Sequence, residues 1–371
     1  MLRALFLFPV SLIYGFAVKF RNLLFDYKIL KSKEFDIPVI CVGNITVGGT
    51  GKTPHIEYLI EILKDKFKTA VLSRGYKRKT AGFILADNES KAEQIGDEPA
   101  QIKQKFGTVE VAVDENRVRG VETLLEKIEK LEVVLLDDAF QHRYIKPSLS
   151  IVLIDYNRMV FEDLFLPYGR LRDSIKQLHR AGILIITKTP DNIKPIEMRI
   201  ISKNLNLLSY QTLYFTGLKY GALQPVFGEC DLLLDKNISQ AQQYSCLAVS
   251  GIADPKLFLN HVSEFTKEVS KLIFPDHHAY TPADDKKILE TFQKIAHDKK
   301  FIVTTEKDAV RLKNCDFLNP EIKKRLFYIS IKPFVLNNGK EDFEKQIIGF
   351  VERDFSRLRM QVSQKKFKPV N

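Results

Sequence analysis

Residues 39–63 read VICVGNITVGGTGKTPHIEYLIEIL. Val39–Val42 is a short apolar run of strand type. It breaks into a turn carrying Gly43, Gly48, Gly49 and Gly51. Beyond the turn, Ile56, Leu59, Ile60 and Leu63 recur at helical spacing. Strand, Gly-rich turn and helix are the setting a phosphate-binding loop requires. Glycines let backbone N–H groups curl around phosphate oxygens at a helix N-terminus. The loop expected to hold ATP phosphates is Thr46, Val47, Gly48, Gly49, Thr50, Gly51, Lys52 and Thr53. Lys52 is placed to reach the β- and γ-phosphates, and the Thr53 hydroxyl to ligate Mg²⁺. The strict pattern wants Gly where this chain has Thr46. A chance GKT in an ordinary Gly-rich connection is the bland competitor, and the agreeing flanks disfavour it.

A P-loop needs a second element to hold the metal. Residues 131–138 read LEVVLLDD, an apolar strand ending in two acids. This is the Walker B layout, in which a buried strand delivers a carboxylate beside the loop. Thr69–Leu72, Ser148–Tyr156 and Ala181–Pro190 supply further strands. ENRVRGVETLLEKIEK supplies a crossover helix, expected to bury Val118, Val121, Leu125 and Ile128. Alternating strands and helices imply an α/β fold: a P-loop NTPase-type parallel sheet with helices on both faces.

The whole chain sets the bounds. Its 371 residues leave room for two or three domains. With 45% hydrophobic and 28% charged residues it is neither disordered nor fibrous. The net charge of +11 suits an anionic partner. Cys41, Cys230, Cys246 and Cys315 form no CxxC pair and no disulfide framework. No stretch reaches about 18 uncharged apolar residues, which disfavours a standard transmembrane helix. The N-terminus does hold 15 uncharged residues, Ala4 to Val18, flanked by Arg3, Lys19 and Arg21. Three readings compete for it: a signal peptide, a buried helix, or a helix lying on a membrane surface. An ATP site disfavours export.

Other polar clusters follow in order. They are Ser73-Arg74-Gly75-Tyr76, Gly96-Asp97-Glu98-Pro99 and Asp137-Asp138-Ala139-Phe140-Gln141-His142. Then come Gly169-Arg170-Leu171-Arg172, Phe274-Pro275-Asp276-His277-His278-Ala279-Tyr280 and Thr305-Glu306-Lys307-Asp308. Each is commonplace alone. Together, from the N-terminal apolar segment to about residue 350, they resemble the tetraacyldisaccharide 4'-kinase (lipid A 4'-kinase) family. Even Thr46 fits, because that family's loop also lacks the first Gly. Two positions depart: the family usually has Gly where Ala139 and Lys77 stand.

The resemblance implies a kinase that uses MgATP to phosphorylate the 4'-hydroxyl of an acylated glucosamine disaccharide 1-phosphate. It implies a peripheral enzyme at the cytoplasmic face of the inner membrane of Gram-negative bacteria, in lipid A biosynthesis. Asp97 is then the general base, with His277 the candidate partner and His278 its competitor. Lys52 neutralises phosphate charge. Thr53 and one Walker B acid, taken as Asp137, hold Mg²⁺, with Glu98 a further ligand directly or through water. Arg74, Asp138, Gln141, His142, Arg170 and Arg172 are candidates for the sugar and the 1-phosphate, since Arg binds phosphate bidentately.

The expected layout is a membrane-surface helix at 1–18 and a P-loop kinase domain at 19–210. An extended linker at 211–226 follows, then a smaller α/β domain at 227–371 ending in a helix and a basic tail. Asp97 in the first domain and His277 in the second would require the domains to close. Two other classes stay open. One is a soluble P-loop kinase or GTPase acting on a small metabolite. The other is a nucleic-acid binder, disfavoured because no aromatic-interleaved basic motif appears.

Overall fold

A computed structural model of the chain describes residues 2–228 and 242–366. Cys230 and the last residues of the basic tail lie outside the described range. The chain divides into two units. The first comprises residues 1–89, 102–218 and 333–371, and the second residues 90–101 and 219–332.

The first unit is built on strands β1 (Val39–Gly43), β2 (Thr69–Ser73), β3 (Ile84–Leu85), β4 (Glu110–Val113), β5 (Val133–Asp137), β6 (Leu149–Asp155), β7 (Ile183–Thr187) and β8 (Thr212–Pro225). Their order across the sheet is β8-β7-β6-β1-β5-β2-β4-β3. The β3–β4 pair is antiparallel and the other pairs described are parallel. β1, β2, β5 and β7 are buried along their whole length, as a sheet covered on both faces requires. The strand order reverses around β1. In open α/β sheets, ligands bind beyond the carboxyl ends of strands at such a point.

Helices α1 (Leu2–Asp26), α2 (Lys52–Leu63), α3 (Ala92–Ile95), α4 (Asp97–Lys105), α5 (Arg117–Lys127) and α6 (Pro195–Leu205) precede or connect these strands. Ile56, Leu59, Ile60 and Leu63 of α2 are all buried, as their spacing predicts. The α5 face differs from expectation. Gly120, Val121 and Leu124 are buried while Leu125 is exposed. Leu124 is three residues beyond Val121 and seven beyond Arg117, which is also buried, so it stays on the stripe that Leu125 leaves.

The second unit carries β9 (Ser245–Ser250), α7 (Lys256–Phe265), β10 (Glu268–Ile273), α8 (Pro282–Gln293), β11 (Lys300–Thr305), α9 (Glu306–Lys313), α10 (Pro320–Arg325) and β12 (Leu326–Val335). The order β10-β9-β11-β12 is parallel throughout. Thr281 caps α8 and forms a capping box with Asp284. Ile288 and Phe292 of α8 join Leu247, Val249 and Ile302 in one core. The final helix, α11 (Lys340–Lys366), belongs to the first unit.

These bounds revise the expected domains. The first helix runs to Asp26 rather than ending at residue 18. The segment expected as a linker is the 14-residue strand β8, through which the chain passes from one unit to the other. Residues 90–101, which carry Asp97 and Glu98, fall in the second unit although they lie early in sequence.

α1 has an inverted character. The residues it buries include Ser11 and Asn22, and Tyr14 is half-buried on the same stripe. Ser11 donates to the Phe165 carbonyl at 2.5 Å, Asn22 to Asp173 Oδ1 at 2.7 Å and Tyr14 to the Arg172 carbonyl at 3.1 Å. Leu12, Ile13, Phe16, Phe20 and Leu23 face outward, Phe16 with 73% of its surface exposed. By length and composition, with a mean hydropathy of 1.2 over Phe6–Asp26, this helix is long and apolar enough to cross a membrane. Counting only the 15 uncharged residues understates it, because helix continues through Lys19 and Arg21.

Candidate active site

The loop after β1 turns through Gly48 (φ 114°) and Gly51 (φ 85°). Both lie in the left-handed region, where a side chain would be strained. Gly51 is the residue before α2, and no side chain caps that helix. Its first N–H groups therefore point into the loop, as an anion site needs. The loop is held from behind. The Thr187 hydroxyl donates to the Thr50 carbonyl at 2.9 Å. His55 Nδ1 donates to the Gly51 carbonyl at 2.7 Å, and its Nε2, 3.0 Å from Thr216 Oγ1, accepts in return. Those contacts turn loop carbonyls away from the concave side.

A second segment pairs with the loop. Thr46 and Leu171 form an antiparallel bridge, and Val47 N–H donates to the Arg170 carbonyl at 2.8 Å. This explains why GRLR sits where it does. A Cβ built on Gly48 would lie 3.9 Å from a guanidinium nitrogen of Arg170 and 4.0 Å from one of Arg158. Both guanidinium groups therefore stand against the loop. Arg172 instead forks onto Asp138, at 2.7 and 3.1 Å, and also binds the Asn44 side chain. Lys52 Nζ lies 3.8 Å from Asp138 and 3.5 Å from Asn44 Oδ1. Burial would raise the Asp138 carboxyl, but Lys52 and Arg172 hold it well below the usual range. Asp137 is buried and accepts from the Ser73 hydroxyl at 3.3 Å, which gives SRGY a role beside the Walker B strand. Gln141 donates to the Asn44 carbonyl at 2.6 Å.

His142 lines a groove of about 730 Å³ with Lys31, Lys33, Asn116 and Tyr144. Burial, with the charges of Arg117, Arg21 and Arg74, lowers its imidazole to about 4, so it is neutral near pH 7. Arg74 itself is exposed. Lys77 has φ 60°, the conformation that favours glycine at this position. Ala139 is not among the positive-φ residues, so its methyl is tolerated.

The acid–base candidates assemble in the second unit. Gly96 (φ 94°) ends α3 and lets α4 begin at once with Asp97 and Glu98 in its first turn. His277 Nδ1 is 3.1 Å from Asp97 Oδ2. His278 faces Asp284 at 2.9 Å and stacks on Phe274. His277 adopts φ 56°, a strained backbone of the kind that clusters at functional sites, with its N–H on the Gly251 carbonyl. Asp97 and His277 thus share a unit, and no domain closure is needed to join them. Burial raises the Asp97 carboxyl, but hydrogen bonds from His277 and Arg311 and nearby positive charge hold it far below the usual range. Glu98 is ion-paired with Lys307 at 2.7 Å, so its charge is already neutralised within the second unit.

Sequence reasoning missed Asn44, Arg158 and Arg311. Asn44 carried a signal, being a polar residue inside the decisive stretch and fully buried. Arg158 and Arg311 carried none.

The donor set fits MgATP. Backbone N–H groups and Lys52 suit phosphate, and the Thr53 hydroxyl with Asp137 or Asp138 offers the hard oxygens Mg²⁺ prefers. The chain is similar to known proteins along nearly its whole length. A family model described as tetraacyldisaccharide-1-P 4'-kinase matches residues 3–351. A tetraacyldisaccharide 4'-kinase of Bacteroides thetaiotaomicron is 49% identical over 354 residues, covering 94% of this chain and 93% of that protein. One from Flavobacterium johnsoniae is 43% identical over 350 residues, covering 94% and 97%. A crystal structure of LpxK from Aquifex aeolicus in complex with ATP superposes with a TM-score of 0.71 at 28% identity, covering 96% of this chain and 100% of that one. With its phosphate loop, Walker B acids and Asp–His pair in place, the chain belongs to the tetraacyldisaccharide-1-phosphate 4'-kinase family.

Proposed function

We propose that the chain transfers the γ-phosphoryl group of ATP to the 4'-hydroxyl of an acylated glucosamine disaccharide 1-phosphate, in lipid A biosynthesis. Lys52, Arg170 and Arg158 neutralise phosphate charge, with the loop N–H groups. Thr53 and Asp137 would hold Mg²⁺, which supplies further neutralisation of phosphate charge when bound. Asp138 holds Arg172 and orders the loop through Asn44. The sugar hydroxyl loses its proton to Asp97 while its oxygen forms the new O–P bond. The P–O bond to ADP breaks, and its electron pair leaves with ADP. A carboxylate of low basicity serves this step because the transition state is loose and the proton departs late. Gln141, His142 and Arg74 remain candidates for the sugar and its 1-phosphate.

The observation that carries the lipid acceptor, against a soluble metabolite, is the inverted α1. Its buried stripe holds Ser11, Tyr14 and Asn22, and its outward face is Leu12, Ile13, Phe16, Phe20 and Leu23. Tyr14 ties it to Arg172, which itself binds Asp138. An outward apolar face with Lys19 and Arg21 nearby fits an anionic membrane surface. On this reading the enzyme sits peripherally at the cytoplasmic side, where ATP is present. The test is a radiolabelled ATP assay in detergent. Label should pass to the disaccharide 1-phosphate, giving a bisphosphate, and not to water-soluble sugars. Transfer to soluble acceptors alone would reject the reading.

A further inference from the structure

Lys307 of the Thr305–Asp308 cluster reaches His277, and Arg311, one turn further along α9, reaches Asp97. Lys307 Nζ lies 3.0 Å from His277 Nε2. An ammonium group only donates, so Nε2 accepts. With Nε2 accepting, the ring proton sits on Nδ1, which lies 3.1 Å from Asp97 Oδ2 and 3.2 Å from Arg311 Nη2. The carboxylate accepts that N–H, because Nη2 already donates to Oδ2 at the shorter 2.6 Å. Lys307 is itself held by Glu98.

Arg311 works on the other partner. Its Nε and Nη2 donate to Asp97 Oδ2 at 2.9 and 2.6 Å. Its Nη1 donates to Asp308 Oδ1 at 2.8 Å and to the Gly251 carbonyl at 3.1 Å. Asp308 is fully buried, and its Oδ2 accepts from Thr305 Oγ1 and Gly251 N–H, both at 2.8 Å. The Arg311 fork is therefore fixed from behind. Among the described residues, the side-chain hydrogen bonds to Asp97 all end on Oδ2.

We propose that Lys307 and Arg311 are positioning residues: Lys307 holds His277 in the Nδ1–H tautomer, and Arg311 with His277 occupies Asp97 Oδ2, so that Oδ1 takes the proton. In that step the O–H bond of the sugar breaks and its proton bonds to Oδ1. The electron pair stays on the sugar oxygen and forms the O–P bond, while the P–O bond between the γ-phosphoryl group and ADP breaks and its electron pair leaves with ADP. This inference rests on the kinase reading, but part of its test needs no substrate.

The experiment combines a spectrum and a rate on the full chain. With ¹⁵N-labelled histidine, the His277 ring, assigned by its disappearance in His277→Asn, should show a protonated Nδ1 and a bare Nε2. Lys307→Met should move the ring toward the other tautomer. The same variant should lower kcat roughly ten- to a hundredfold, the usual worth of a group that orients another. KM for ATP should stay within about twofold of wild type, a margin well under the tenfold that 1.4 kcal/mol of lost binding would give. Lys307→Arg, which keeps a donor, should recover part of the loss. On a His277→Ala background Lys307→Met should cost little more. A wild-type ring protonated on Nε2 overturns the proposal, and it does so even if Lys307→Met fails to fold. A Lys307 effect that multiplies with His277→Ala, or one confined to KM, overturns it as well. Failure of the lipid assay with the spectrum as described would reject the kinase reading and leave the tautomer intact.

Discussion

Lys52 and Asp138 show how single residues divide the work in the first unit. Lys52 sits between Asn44 and Asp138, so its charge is held at the loop before nucleotide binds. As the γ-phosphoryl group detaches, charge accumulates where this ammonium points. Lys52→Ala should reduce turnover by about 10²-fold or more with the fold unchanged, the size of loss seen when one charge-stabilising donor is removed. Circular dichroism and the kinase assay check this together, and near-normal turnover would contradict it. His142 gives a pH prediction. Its folded pKa, about 4, lies below the ordinary 6.5, so the unfolded chain binds the proton first. The stability it contributes is present above 6.5 and is lost as pH falls toward 4. His142→Gln should flatten the fall in urea midpoint over that window, and an unchanged slope would place the lost stability elsewhere. Lys52 and Thr53 could be proposed from the sequence because a strand, a Gly-rich turn and a helix start tie them to a local pattern, whereas Asp97 came only from the family resemblance. Arg311 was not legible. It is one arginine on an amphipathic helix, and its meaning comes from Asp97, 214 residues away.

At the level of elements, periodicity carried much of the reading. α2 buries the residues that its spacing predicted. α5 departs by one position, because a short helix fixes a stripe only to within a residue when Leu124 and Leu125 are adjacent. α1 was harder, since composition alone fits a signal peptide, a core helix or a surface helix. Only the side each residue takes separates them. A core helix would turn Phe16 and Phe20 inward, and this one turns Ser11 and Asn22 inward. The double variant Phe16→Glu, Phe20→Glu changes exposed side chains and should leave folding and ATP affinity alone. It should abolish flotation with vesicles containing anionic lipid and raise KM for long-chain acceptor, through lost apolar burial and added repulsion. Unchanged flotation would mean that this face does not meet the membrane.

At the level of the whole molecule, the α/β class and the P-loop sheet followed from the alternation of strands and helices. The division into units did not. Residues 90–101 leave the first unit for the second, and α11 returns to the first; a chain that crosses four times between units leaves no mark of it in sequence order. On the proposed function this matters: the residues proposed to bind ATP lie in one unit, and the Asp97–His277 pair lies complete in the other. The central claim is that this pair acts as one base. It is tested most directly by turnover of wild type, Asp97→Ala, His277→Ala and the double variant with MgATP and the acylated disaccharide 1-phosphate. Asp97→Ala should cost roughly 10²–10⁴-fold, the range for a positioned base. His277→Ala should also cost turnover with ATP affinity retained, and the double variant should lose far less than the product of the two losses. Losses that multiply, or a silent His277→Ala, would contradict the account.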